Sequence, residues 1–473
     1  MNYENMNYPN DENIIVSYNR DISPNEIENA LSKSKNGKSV GVDGLPYEFF
    51  KNNTSIELLY SLFNLIFKHQ LLPPEWKISI IKPLRKSSTI DYRNPLEYRG
   101  ITLLPTLYKL FANILNNRIV YYLNSNNLYV DEQNGFRANR SCEEHIFSLT
   151  SIIRNRLNTG LPTYVAYLDA EKAFDRVNRN ILLHKLYKCG VSGSYYNIIK
   201  LIYSSTQCMI NVNNHLTPSF ESKCGVRQGD PLSSTLFNIF INDFPMCIAQ
   251  ANCGIYINKK QICSLMFADD IVLLSDSQIG LQKQLDLAHT WAANNQVKFN
   301  ESKSFIVHYR PKRAIACDRP FRLGQMLLKF KNNYKYLGIT LDEHLNYNVT
   351  ADILSQSATR ALGAIINKHK QINFDYNTFT KLFNTCVVPV MNYCSGTWGY
   401  QKFPQLENVC KSAMRSFLCV NNRTPIPGIV GDMAWFSSIM LRHKCMLKLW
   451  NRFIYMDNTR LTKCIFLHVY QTQ

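Results

Sequence analysis

The stretch SLMFADDIVLLSDS, Ser264 to Ser277, sets two adjacent aspartates between two short apolar runs. Few folds accommodate that. Leu265 and Phe267 alternate before the pair, and Ile271 and Leu273 follow it with Val272 and Leu274 on the opposite face, so both flanks read as strands. Aspartate tolerates turn geometry, which makes Ala268-Asp269-Asp270 the tip of a hairpin. Two carboxylates about 4 Å apart repel by roughly 4 kcal/mol at an effective dielectric constant of about 20. A cation between them removes that cost, and a fully solvated acidic turn dilutes it; a second acidic site elsewhere in the chain decides between the two.

TYVAYLDAEKAFDRV supplies it, as a short apolar strand that delivers Asp169 at its end. If the two strands are neighbours in one sheet, Asp169, Asp269 and Asp270 gather on one rim. Such a cluster suits hard divalent cations, and Mg²⁺ takes one or two protein carboxylates with water and substrate phosphates in its other positions. Two such ions stabilise the attacking and leaving oxygens of an in-line displacement at phosphorus.

The charge points the same way. Lys and Arg number 53 against 35 Asp and Glu, a net of +18 over 473 residues, which favours a polyanionic partner. Half of that excess sits in the last quarter: residues 351–473 hold 14 Lys and Arg against 5 Asp and Glu, a candidate clamp on a phosphate backbone. The most apolar region, near 235–257, is interrupted by Asn238, Asn242, Asp243 and Pro245, which excludes a membrane-spanning helix there. No secretory signal opens the sequence, so an intracellular protein is expected. The 14 cysteines include no C-x-x-C spacing and read as reduced thiols. Gly37-Lys38-Ser39 evokes a phosphate loop, but that motif needs glycine where Ser32 stands.

Local signals give the organisation. Residues 1–19 read as a loose tail. Ser23, Pro24 and Glu26 form a capping box that starts a helix, a second helix covers 56–70, and WKISIIKPL, 76–84, is a strand. EEHIFSLTSIIRNRL is an amphipathic helix that stops at Gly160. GVRQGDPLSSTLFNIFIND is a loop entering a helix, with Asp230 as its cap and Pro231 at its first position. After about 348 strand signals give way to helical ones, which places a boundary near 345 between an α+β core and a helical, basic C-terminal region.

With those residues in view the chain resembles a known family. LDAEKAFDRV, GVRQGDPLSSTLF, FADDIVLLS, KFNESKS and YLGITLD, in this order and preceded by GVDGLPYEFFK, YRGITLL and QNGFRANRS, resemble the successive motifs of the reverse transcriptases of non-LTR (LINE-type) retrotransposons. The resemblance implies an α+β right-hand polymerase: fingers and a palm with an antiparallel sheet over 20–345, with a core of about 65–341, followed by a helical thumb over 346–473. It implies two Mg²⁺ ions held by Asp169 and Asp269 with Asp270 as third carboxylate, and Lys303 as the acid that protonates departing pyrophosphate. Around the incoming dNTP it implies Lys86, Arg99, Ala170, Phe174, Gln228 and Gly229, with the Phe174 ring excluding a 2′-hydroxyl. Gly100 stands where that family usually has proline. Tyr336, Leu337 and Gly338 would hold the primer end.

The function that follows is RNA-directed DNA polymerisation from a primer 3′-hydroxyl, with template RNA, a DNA primer and dNTPs as partners, no membrane, and action in the nucleus. Two alternatives stand beside it, an inactive relic that only binds nucleic acid and a mobile-intron reverse transcriptase. Elements of this type also carry an endonuclease, and no segment of this sequence reads as one, so a fragment or truncated product of a longer reading frame is expected.

Overall fold

The computed structural model describes residues 18–86, 91 and 93–472. They form two compact units that interleave along the chain: the first combines residues up to Phe136 with Ala170–Cys247 and His289–Asn300, the second combines Arg137–Asp169, Ile248–Ala288 and Glu301–Gln473.

In the first unit the strand Ile78–Arg85 pairs antiparallel with Tyr98–Leu103 and parallel with Thr206–Val212, which carries two further short strands, His215–Leu216 and Phe220–Ser222. The strand begins two residues later than its apolar pattern suggests, because Pro74 opens a 3₁₀ turn over Pro74–Lys77. An aromatic cluster of Phe63, Trp76, Tyr108 and Phe111 packs between the helices Asn53–His69 and Thr106–Ser125. The capping box at Ser23 forms as read, with the Ser23 N–H donating to Glu26 at 2.9 Å ahead of the helix Pro24–Lys33.

Asp230 departs from the reading. The regular helix begins at Ser233, not Pro231. Asp230 is buried, and while one oxygen accepts the Leu232 N–H at 2.9 Å, the other accepts the Tyr108 hydroxyl. A loop carboxylate that looked like a cap is therefore an anchor into the core. Of the expected tail, residues 1–17 lie outside the described residues; Tyr18 is fully buried and donates to the Gly190 carbonyl at 2.7 Å, and Asn19 donates to that of Ser192.

The second unit is built on a six-stranded sheet ordered Phe321–Leu323, Met326–Phe330, Phe305–Tyr309, Thr163–Asp169, Asp270–Ser275, Ser264–Phe267. Its pairs are antiparallel except that between Phe305–Tyr309 and Met326–Phe330. Thr163–Leu168 is buried throughout, as a central strand covered on both faces must be. The helix Cys142–Asn158 starts where Ser141 accepts the Glu144 N–H at 3.2 Å and ends ahead of Gly160, as its periodicity predicts. After the hairpin Asn333–Tyr336/Ile339–Asp342 every regular element among the described residues is helical, beginning with Asn348–Ile372. Residue 345 thus marks a change of secondary structure inside one compact unit. Buried Glu144 ties this helical part together, meeting Arg452 at 2.5 Å and Arg460 at 2.8 Å. No helix among the described residues is long and apolar enough to cross a membrane, and no disulfide joins the 14 cysteines.

Candidate active site

Cross-strand register assembles the acidic rim. Asp169 ends its strand directly opposite Asp270, the first residue of the neighbouring antiparallel strand; such partners have Cα atoms about 4.5–5.5 Å apart. Asp270 also faces Phe267 across the hairpin, leaving Ala268 and Asp269 as its two-residue turn. Ala268 holds φ +58°, a left-handed conformation that costs a residue with a Cβ about 1 kcal/mol or more. Burial of Leu265, Met266, Ile271 and Val272 fixes the register that demands it.

Charge crowds here. Burial pushes the Asp270 carboxyl up to about 6, and the neighbouring Asp269 and Asp169 charges push the same way against the opposing pull of Lys303. Asp169 is raised too, first by burial, then by Asp269, with Lys303 acting against both. The Lys303 Nζ stands 4.0 Å from the Asp169 carboxylate and is mostly exposed, so water screens much of what it offers. Among the described residues no group of three or more ligating side chains closes into a ready-made metal cage. What the rim presents is an open set of hard oxygen donors with surplus negative charge, the donor chemistry that fits a hydrated divalent cation better than a closed structural site.

Beside Asp169 lies a groove of about 600 Å³ lined by Lys303, Phe305, Lys331, Tyr334 and Lys335. The Lys331 ammonium sits 3.5 Å above the Phe305 ring, a cation–π contact that holds it in place. Tyr334 stacks on Tyr167 with centroids 4.3 Å apart, and its hydroxyl is pushed up to about 12 by burial and then by Asp270 and Asp169. It is a neutral hydrogen-bonding group at working pH.

The remaining sequence-predicted residues divide between the units. In the second, Leu337 and Gly338 form the turn between Tyr336 and Ile339, with φ +45° and +87°. A side chain on Gly338 would meet the Tyr393 ring at 2.9 Å, and the Tyr393 hydroxyl donates to the Leu337 carbonyl at 3.0 Å. Tyr336 itself is buried, so Leu337 and Gly338 are the members of the trio that reach the surface.

In the first unit Ala170 pairs with Phe299. Phe174 stacks on Phe237 at 4.6 Å and meets Phe136 edge-on at 5.8 Å. Its loop is tied down by the Val226 N–H donating to the Phe174 carbonyl and by Gly225 donating to Val177. The Gln228 carbonyl accepts the Thr102 N–H at 2.8 Å, and Gly229, at φ +106°, lies so close to the Thr102 carbonyl that a Cβ would stand 2.9 Å from it. Flanking this pair, Arg227 and Asp230 turn inward, Arg227 donating to the Trp76 and Ile202 carbonyls. Arg99 is exposed on its strand, and the exposed Lys86 donates its N–H to the Glu97 carbonyl at 3.1 Å. Gly100 sits opposite Pro83, where a Cβ would meet Ile81 at 2.8 Å.

Sequence reasoning missed Tyr334, Lys331, His145 and Tyr393 in the second unit and Arg227 and Tyr108 in the first. Lys331 and Tyr334 lie in the run KNNYKY just ahead of the quoted YLG, close enough to have been taken together. Arg227 lies inside the quoted GVRQGDPLSSTLF, directly before Gln228; His145, Tyr393 and Tyr108 carry no local signal.

Comparison with known proteins gives the family. The family described as reverse transcriptase (RNA-dependent DNA polymerase) matches residues 84–341. The chain belongs to that family, and with it to the α+β right-hand polymerases. It is 26% identical over 404 residues to the probable RNA-directed DNA polymerase from transposon BS of Drosophila melanogaster, covering 82% of this chain and 44% of that one. It is 25% identical over 338 residues to the RNA-directed DNA polymerase from mobile element jockey of the same organism, covering 69% and 36%. The likeness to reverse transcriptases of non-LTR retrotransposons is borne out by these relatives. The chain spans less than half the length of either. Among solved structures, apo telomerase from Candida tropicalis is 12% identical over 88% of this chain and 74% of that one, with a TM-score of 0.44.

Proposed function

We propose that this chain is the polymerase part of a non-LTR retrotransposon protein and extends a DNA primer 3′-hydroxyl with dNTPs on an RNA template, acting in the nucleus. The observation that carries the reading is the register that sets Asp169 against Asp270 with Asp269 in the adjoining turn. Three crowded carboxylates, two of them driven upward by burial and by the charge of Asp269, favour binding of a counter-cation over carrying bare charge.

Asp169 and Asp269 are the residues that would hold two Mg²⁺ ions, with Asp270 as third ligand. Bound there, the ions supply Lewis-acid stabilisation of the attacking and leaving oxygens. The chain's own side chains do the rest. Lys303, exposed 4.0 Å from Asp169, gives a proton to the departing pyrophosphate. Arg99 and Lys86 grip the triphosphate, Arg99 through a planar fork matched to phosphate oxygens. Ala170, Gln228 and Gly229 border the new base pair, and the Phe174 ring, held by its stack on Phe237, leaves no room for a 2′-hydroxyl. The turn at Tyr336, Leu337 and Gly338 holds the primer terminus.

Primer extension on an RNA template tests the reading. The purified chain should incorporate dNTPs in Mg²⁺ and stop in chelator, and Asp269→Asn, which removes a charged ligand at nearly constant shape, should abolish incorporation. Undiminished extension by that variant refutes the assignment.

A further inference from the structure

Two turns carry the proposed chemistry in the second unit, the carboxylate turn Ala268-Asp269 and the primer turn Leu337-Gly338. They lie on separate hairpins of separate sheets. Polymerisation needs a reacting hydroxyl placed to within a fraction of an ångström of the metal-binding acids, so something must fix one hairpin against the other.

A single buried side chain touches both. His145, in the first turn of the helix Cys142–Asn158, is fully buried. Its Nε2 is 2.7 Å from the Tyr336 hydroxyl, and its ring meets Phe267 edge-on with centroids 5.7 Å apart. Phe267 directly precedes the carboxylate turn and is the cross-strand partner of Asp270, while Tyr336 directly precedes the primer turn. Tyr336 also packs on Tyr167, centroids 5.2 Å apart. Tyr167 is two residues before Asp169 and so on the same face of its strand, and its hydroxyl is hydrogen-bonded to that of Tyr309 at 2.7 Å. Each of the three rings thus stands one or two residues upstream of a residue assigned a role, and His145 is the polar member that locks the row at a fixed hydrogen-bond length. Burial holds its imidazole neutral, with a pKa lowered to about 3, so the link is the same across the working pH range. An apolar residue of similar size would fill the space without fixing the angle of the Tyr336 ring.

We propose that His145 is a positioning residue: through Tyr336 and Phe267 it sets the distance between the primer turn and the carboxylate turn, and so places the primer 3′-hydroxyl against the acids. This rests on the polymerase reading for its consequence, and on the His145 contacts for the coupling itself.

The test uses the full chain and His145→Leu, His145→Gln, Tyr336→Phe and the double variant His145→Leu/Tyr336→Phe. Glutamine can present an amide near the position of Nε2 and should restore the link. Hydrogen exchange in peptides 265–271 and 334–340 should rise together by about tenfold in His145→Leu, with the helix Gly193–Tyr203 unchanged. In primer extension the same variant should lose about tenfold in kcat with the KM for dNTP within about twofold, because the nucleotide site is untouched. Tyr336→Phe should match it and the double variant should be no slower, since both remove one shared interaction. Exchange that rises at one turn alone or at neither, a glutamine variant as slow as leucine, or losses that multiply in the double variant would overturn the proposal. A chain that extends no primer yet shows the coupled exchange would refute the polymerase reading and leave the coupling standing.

Discussion

Two part-buried carboxylates, one in each unit, meet opposite fates. Glu26 is tied to Arg118 by two bonds, 2.7 Å from Nε and 2.9 Å from a terminal guanidinium nitrogen. Burial alone would raise its pKa, but the arginine bonds and the Ser23 N–H outweigh it and bring the carboxyl down to about 2. Asp270 is part-buried beside two further carboxylates and goes up to about 6. The first acid is satisfied by the fold; the second is left with a demand that a cation from outside can meet. On the proposed reading, that difference separates a charge used to hold structure from one kept ready for chemistry.

The sharpest way to break the comparison is to neutralise each acid. Asp270→Asn should lower primer extension on the order of 10³-fold or more, yet raise the stability of the metal-free chain by about 1–2 kcal/mol, because a crowded, part-buried charge is gone. Urea unfolding in chelator measures it, and a destabilised variant would contradict the account. At the other site the sign reverses: Arg118→Met strands Glu26 and should cost about 3 kcal/mol, a loss that also appears as a lower urea midpoint. An Arg118→Met chain as stable as the parent would show that the pair does not hold its unit together.

Acid titration sharpens the contrast further. The folded pKa of Glu26, about 2, lies below its ordinary 4.5, so its contribution is present above pH 4.5 and fades as pH falls toward 2. The folded pKa of Asp270, about 6, lies above its ordinary 3.8, so in chelator its contribution is complete below pH 3.8 and is lost as pH rises through 6. Glu26→Gln should flatten stability against pH in the lower window and Asp270→Asn in the upper one. If each variant leaves its own window unchanged, the cited environments do not control these acids. The smallest effect belongs to Lys303, whose exposed ammonium is 4.0 Å from Asp169. Lys303→Ala should change unfolding by less than about 1 kcal/mol while slowing extension at high pH, where a proton donor matters most.

Much of the acidic rim was legible because strands obey a period of two. Once Ser264–Phe267 and Asp270–Ser275 are read as strands, the two-residue turn at Ala268-Asp269 follows, and Asp169 at a strand end can only lie on a rim. The Ser23 capping box was legible because it closes within four residues. What escaped depends on partners far along the chain. The Tyr108 bond to Asp230 spans 122 residues and the His145 contact with Tyr336 spans 191; no local pattern marks either. The interleaving of the units escaped too, because a reading that moves along the sequence divides it into consecutive blocks, whereas each unit draws on three separate stretches.

The central claim is that the Asp169, Asp269 and Asp270 rim is a cation site assembled by strand register. Thermal unfolding of the chain and of Asp270→Asn against rising Mg²⁺ at pH 7.5 tests it most directly. The parent should gain stability steadily, by about 2.7 kcal/mol when Mg²⁺ reaches 100 times its dissociation constant, and the variant should gain little. Equal stabilisation of both, or of neither, would contradict it.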